Sequence, residues 1–323
     1  MFLYFTLLIV TTQASLFKLT PKSRRTYQTL YTRDASNSVS VTSCACGYYI
    51  PETKQIFTHH ITLNPSALSS SNLTAALSKQ GWIVSDYQQT STPKNIAYSP
   101  SNLKYNSNSK ALELIVSGGL PTRSSIPSAE ISTMMDRILY GSFRFNVKVS
   151  SVAGACSGLF FYKDDNHEID IEILTSHIRN STTQRDGVPK PGVQLTVQPL
   201  TKNQVLTNYK VVPFDGKFDP TKGYHEYRFD WLKTGVKYSV DGSSYGTYTR
   251  FIPKTAGQII INNWSNGNPY WSAGPPLQNS ILSVRSVDIY FNTTDATQIA
   301  AWEAGCKKAS YKQACTIPKS KTG

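Results

Sequence analysis

The chain is predicted to fold as an all-β protein, an antiparallel sandwich or barrel, on three observations. Short stretches rich in aromatic and β-branched residues recur with turn residues between them. Several of these stretches alternate polar and apolar side chains with a period of two, which gives a strand one packed and one open face. Long helical periodicity is missing, apart from a short candidate around Asn292 to Cys306 and a weaker one near Pro65 to Lys79. That balance of elements points to packed sheets.

Taken from the amino terminus, residues 1–14 combine an apolar run too short to span a bilayer with the small-x-small pattern Thr12-Gln13-Ala14, and read as a secretory signal. Residues 15–45 are basic, rich in Ser and Thr, and poor in aliphatic periodicity, so a mobile segment is expected there, with order beginning near Cys44. Strands are expected at 81–84, 111–116 and 141–149. A hairpin is expected over 236–248, with Asp241-Gly242 near its turn. One β domain over 46–305 with an N-terminal extension, and a Cys-containing tail over 306–323, complete the division.

The most informative stretch is Glu168-Ile169-Asp170-Ile171-Glu172-Ile173. Strict alternation places three carboxylates on one face of a strand and three isoleucines on the other. Like charges about 6–7 Å apart along one face are unfavourable unless something uses or neutralises them. The Cα atoms of Glu168 and Glu172 are expected about 13 Å apart. Side chains leaning together bring their carboxyl groups to within about 6 Å, near the roughly 5–5.5 Å of a retaining glycosidase.

Charge and cysteines narrow the classes further. The formal net charge is +13, yet the Lys and Arg residues are scattered and thickest at the two ends, without the aromatic-interleaved clusters of a nucleic-acid binder. No nucleic-acid partner is expected, and the charge reads as solubility and attraction to acidic extracellular material. Four N-x-Ser/Thr sequons, at Asn72, Asn180, Asn263 and Asn292, accord with secretion, as do five cysteines. Cys306 and Cys315 are close enough to close a small loop, and Cys156 is expected to join Cys44 or Cys46. No second hydrophobic span follows the leader, and the polar ending Lys319-Ser320-Lys321-Thr322-Gly323 argues against a lipid anchor. The protein is therefore expected outside the cell, and it is expected to be a monomer.

Two decoys are set aside. Gly242-Ser243-Ser244-Tyr245-Gly246 matches a G-x-S-x-G nucleophile elbow, but that motif needs a strand running into a helix, and this copy lies in a hairpin. The five histidines show no metal-ligand spacing. His59 and His60 are expected on a surface loop, and His167, beside Glu168, is expected to play a structural part.

With these residues in hand, the chain resembles glycoside hydrolase family 16. Glu168-Ile169-Asp170-Ile171-Glu172 is similar to the family's E-[IL]-D-x-E strand, preceded by the apolar Ser157-Gly158-Leu159-Phe160-Phe161-Tyr162. Ser128-Ala129-Glu130-Ile131 and Tyr140-Gly141-Ser142-Phe143 resemble its S-A-x-I and Y-G-x-F elements, and Tyr224-His225-Glu226-Tyr227-Arg228-Phe229-Asp230-Trp231 its F-H-x-Y-x-x-x-W strand. Residues 263–275, from Asn263-Trp264 through Tyr270-Trp271, resemble the Trp-rich segment of secreted fungal members, including the Crh-type cell-wall transglycosylases.

The resemblance spans roughly 81–303 and implies a concanavalin-like β-jelly-roll of two antiparallel sheets acting on β-linked polysaccharide. It implies Glu168 as nucleophile, Asp170 as its helper and Glu172 as general acid/base. Elementary chemistry agrees: a glycosidic oxygen leaves only when protonated, while the attacking carboxylate must be ionised.

Trp264, Tyr270 and Trp271 are expected to line sugar subsites with their flat faces, and Asn263 and Asn266 to hydrogen-bond hydroxyls, with the Asn263 sequon left unmodified. No cofactor or catalytic metal is expected. Relatives of the fold hold a structural Ca²⁺, and no oxygen-ligand motif marks one here. Hydrolysis of β-1,3 or β-1,3/1,4 glucan is the leading expectation, with Crh-like chitin/β-glucan transglycosylation as the alternative. A noncatalytic lectin-like wall protein is the second alternative, whose mark would be loss of one paired glutamate.

Overall fold

A computed structural model describes residues 44–68, 72–178, 191–202, 205–214, 218–309 and 313–320. The leader 1–14, nearly all of the basic segment 15–45 and the sequon at Asn180 lie outside the described residues.

Two large sheets pack face to face. A nine-stranded sheet has at its centre Cys156–Asp164, flanked by His167–Leu174 on one side and Gln258–Trp264 on the other, with Val193–Lys202 beyond the former and Ser125–Thr133 beyond the latter. An eight-stranded sheet is built around Ile138–Lys148, between His225–Leu232 and Ser280–Thr293. Nearly all pairings are antiparallel. Asn95–Tyr98 instead runs parallel to Ser125–Thr133. The jelly-roll sandwich expected from the resemblance is the fold.

The period-two pattern sets what fills the space between the sheets. Ile169, Ile171 and Ile173 project inward with Leu159, Phe161, Ile259, Ile261 and Ile131, and meet Phe143, Phe145, Phe229, Trp231 and Ile289 from the other sheet in one buried cluster. Each such side chain contributes about 1.5–3 kcal/mol by leaving water. This inward set fixes the register of the acid strand, because a slip of one residue would turn its carboxylates into the core.

The predicted strands appear as Trp82–Val84, Ala111–Val116 and Ile138–Lys148, and the predicted helices as Leu73–Lys79 and Ala296–Lys308. The hairpin joins Gly235–Val240 to Ser243–Tyr248 through Asp241 and Gly242, both at positive φ, as a type I′ turn requires. His59 and His60 do not lie in a loop. They open the strand His59–Leu63, where pairing with Ser280–Thr293 lets His60 stack on Tyr290.

The expected cysteine pairing is corrected. Cys44 bonds Cys315, Cys46 bonds Cys306, and Cys156 is free and buried. The reason is a pairing distant in sequence: Cys315–Thr316 runs parallel to Tyr48–Ile50, which brings the two ends of the described chain together. The resulting small three-stranded sheet covers the eight-stranded sheet's outer face, where Arg228, only 2% exposed, meets Glu52 at 2.7 Å and Asp230 at 2.9 Å. Arg144 donates there to the Pro318 carbonyl at 2.9 Å. Buried guanidinium groups require such partners: the clasp supplies Glu52 and the Pro318 carbonyl, and the sheet itself supplies Asp230.

Both disulfides close long loops, so replacing Cys46 and Cys306 together by Ala is expected to cost about 2–5 kcal/mol in denaturant unfolding, with an unchanged midpoint contradicting the clasp. Without reductant, Cys156 alone is expected to react with a thiol reagent, and only after unfolding.

Candidate active site

The candidate site is the open face of the nine-stranded sheet. Glu168, Asp170 and Glu172 all project from His167–Leu174 away from the isoleucine face. Across the neighbouring strand their partners are Tyr162, Phe160 and Gly158, and on the other side Thr196 and Gln194 lie opposite Asp170 and Glu172. Asp170 is buried and the two glutamates are half-buried. A Cβ on Gly158 would sit 2.5 Å from Asn262 Oδ1, so glycine keeps the floor beside Glu172 low.

Crowding three carboxyl groups out of water has a direct electrostatic result. Burial pushes Glu168 up to about 8, opposed by a hydrogen bond from Asp170 and assisted by the charge of Glu172. Burial also drives Asp170 well above the usual carboxylate range, with the charges of Glu168 and Glu172 pushing the same way. Glu172 is raised by burial, while donors from Cys156 and Trp271 pull it back.

Three such groups cannot all ionise, and they titrate as a set. The hydrogen bond between Asp170 and Glu168 divides the protons: it favours the charged form of Glu168 and the neutral form of Asp170. Within that pair Asp170 holds its proton more firmly than Glu168, which burial still leaves raised to about 8.

The aromatic and amide candidates separate by position. Trp264 stands on the open face, 5% exposed, packed with Ile96, Tyr98, Cys156 and Leu174, with Tyr87 and Trp271 against the cluster. Trp271 is half-buried and its indole nitrogen lies 3.4 Å from Glu172 Oε1. Tyr270, 56% exposed, stands free of that cluster.

Asn263 does not line the groove. It is fully buried, donating to the carbonyls of Leu114 at 3.0 Å and Ser280 at 2.9 Å and accepting from Ser157 Oγ at 3.0 Å. Adjacent strand residues face opposite ways, so Asn263 and Trp264 cannot both reach the groove. Asn266 is likewise occupied, donating to Ser91 Oγ and the Thr92 carbonyl and accepting from Ser272, which ties the loop to its neighbour.

Asn262 takes the place expected of Asn263. It donates toward Tyr98 Oη at 3.4 Å and Glu130 Oε2 at 3.3 Å, while its buried Oδ1 has no hydrogen-bond partner among the described residues. Glu130, a fourth carboxylate on this face, accepts from Ser85 Oγ at 2.8 Å and Tyr87 Oη at 3.2 Å. Counting back by two from Trp264 identifies Asn262. Glu130 is hidden inside the Ser128-Ala129-Glu130-Ile131 element, whose signal is the pattern as a whole and not the carboxylate.

His167 pairs with Asp164 at 2.7 Å at the strand's entrance. Among the described residues no group of three or more His, Cys, Asp or Glu side chains could hold a metal ion.

The model of the glycosyl hydrolases family 16 matches residues 85–279, more than half of the chain and all of this groove. The chain belongs to glycosyl hydrolase family 16. The family 16 chain is 31% identical over 156 residues to a beta-glucanase of Bacillus licheniformis, covering 45% of this chain and 57% of that protein. It is 33% identical over 131 residues to a beta-glucanase of Paenibacillus macerans, covering 39% and 48%. The chain thus spans about half the length of these curated relatives. It is also 26% identical over 141 residues to Congo red hypersensitive protein 1 of Saccharomyces cerevisiae, covering 42% of this chain and 25% of that one. Among solved structures, the Bacillus licheniformis beta-glucanase superposes with a TM-score of 0.52 at 25% identity, over 64% of this chain and 91% of that one.

The raised acids carry a stability signature. A carboxyl whose folded value lies above its usual 4.5 keeps its proton in the folded state after the unfolded chain has lost it, so stability falls as pH rises from about 4.5 to about 8. Glu168→Gln removes this loss. The variant is expected to melt higher than the parent at pH 8 and alike at pH 4, and a pH-independent difference would contradict the burial of this acid.

Proposed function

We propose that this family 16 chain is a retaining glycosidase acting within β-glucan chains by double displacement. The observation that carries the reading is the Glu168, Asp170, Glu172 set on one open sheet face, in a strand register that turns none of the three inward. In this reading ionised Glu168 attacks the anomeric carbon while Glu172 protonates the departing oxygen. Glu172 then takes a proton from the incoming water or sugar hydroxyl as the glycosyl-enzyme bond breaks. Asp170 returns its hydrogen bond to Glu168 as that carboxylate leaves, which lowers the cost of regenerating it.

The substrate class is supported by the beta-glucanases to which the chain is similar, and by the half-buried Trp271 and exposed Tyr270 on the loop that reaches Glu172. Two disulfides, and an apolar amino-terminal run, support a place outside the cell. Within the described residues no helix is long and apolar enough to cross a membrane.

One observation favours transglycosylation as the second reading. Trp271 reaches Glu172 with its indole nitrogen at 3.4 Å, on a loop that also carries exposed Tyr270, and such aromatic faces suit an acceptor sugar better than water. A lectin-like role is disfavoured by retention of both glutamates.

Incubation with defined β-1,3, mixed-linkage and chitin-derived oligosaccharides, followed by mass spectrometry, separates the readings: shorter products mean hydrolysis, longer ones transfer. Absence of both with folded protein would defeat the proposal. Glu168→Gln is expected to abolish turnover, whereas Glu172→Gln is expected to retain activity on substrates with good leaving groups, and full activity in both would overturn the assigned roles.

A further inference from the structure

One oxygen of Glu172 receives two donors from separate parts of the fold. The Cys156 thiol lies 3.2 Å from Oε1, and the Trp271 indole nitrogen 3.4 Å from the same atom. Cys156 opens the strand Cys156–Asp164, whose Gly158 is the residue directly opposite Glu172, so the thiol reaches the carboxyl diagonally across the space that glycine leaves open. Trp271 comes from the loop after Gln258–Trp264, held by its own backbone bond to the Asn268 carbonyl at 3.0 Å.

The chemistry of these partners limits what Oε1 can do. An indole N–H only donates. Cys156 is fully buried among Ile96, Tyr98, Leu174 and Trp264, outside both disulfides, and burial beside the Glu172 charge keeps its thiol protonated well above the usual range. Two hydrogens therefore already point at Oε1. A carboxyl proton placed there would face them, whereas among the described residues no donor points at Oε2, which can carry it.

We propose that Cys156 is a positioning residue for the acid/base: together with Trp271 it clamps Oε1 of Glu172 and reserves Oε2 as the oxygen that gives and takes the catalytic proton. The inference rests on the glycosidase reading above, but its structural content does not depend on which glucan is cleaved. The clamp holds the rotamer through both half-reactions, when Glu172 changes charge. It also joins the acid/base to the loop carrying Tyr270.

The rival role for a buried free cysteine is that of a small apolar filler, and kinetics separate the two. Cys156→Ala removes the donor, and Cys156→Ser restores one. Each is compared with the parent on an unmodified glucan oligosaccharide, whose leaving group needs a proton, and on an aryl glycoside with a good leaving group. With the clamp, Cys156→Ala loses about tenfold in kcat/KM on the oligosaccharide and stays within about twofold on the aryl glycoside.

Its alkaline limb also moves to higher pH, because losing a donor that favours the carboxylate makes the acid hold its proton longer. Cys156→Ser returns both toward the parent. Equal losses on the two substrates with an unmoved limb, or no recovery in Cys156→Ser, would overturn the clamp. A carbon-13 NMR titration of glutamate-labelled protein tests the same contact without turnover. The Glu172 resonance is expected to titrate at higher pH in Cys156→Ala than in the parent, and an unmoved midpoint overturns the clamp. A parent inactive on both substrates would instead count against the glycosidase reading alone.

Discussion

The structure depends on holding three carboxyl groups out of water along a single strand face. Ile169, Ile171 and Ile173 make this possible, since their burial in the shared core locks the pleat so that Glu168, Asp170 and Glu172 have no alternative side to occupy. The hydrophobic gain on one face offsets the electrostatic cost on the other. The site costs stability, and the sandwich around it supplies the surplus.

Within that constraint, position alone gives similar groups different tasks. Asp170, in the middle and most deeply buried, is pressed by a charge on either side and held well above the usual carboxylate range. Glu172, at the far end, answers instead to a thiol and an indole. The division follows from neighbours rather than from residue type, since Glu168 and Glu172 are chemically identical.

Much of this is legible in the sequence because it is local. Alternation over 168–173 fixes the face of every acid without knowledge of any partner strand, and the Asp241-Gly242 turn announces its own hairpin. What depends on distant pairing is not legible. The cysteine bridges follow from a parallel contact between Tyr48 and Cys315, which no spacing rule anticipates. Asn263 departs from expectation for another reason: its neighbourhood is rich in loop-forming residues, yet the strand continues to Trp264, and within a strand parity excludes it from the groove. Glu130 and Asn262 become visible only with Ser125–Thr133 and Gln258–Trp264 side by side.

The central claim is that Glu168 attacks carbon while Glu172 manages the proton. Covalent trapping tests it most directly: the protein is incubated with an activated 2-fluoro glycoside of a β-glucan oligosaccharide, whose fluorine disfavours the oxocarbenium-like transition state and slows release of the glycosyl-enzyme. Digestion and fragmentation by mass spectrometry are then expected to place the sugar on Glu168. A sugar found on Glu172, or no adduct together with an inverted first product from a natural substrate, would contradict the account.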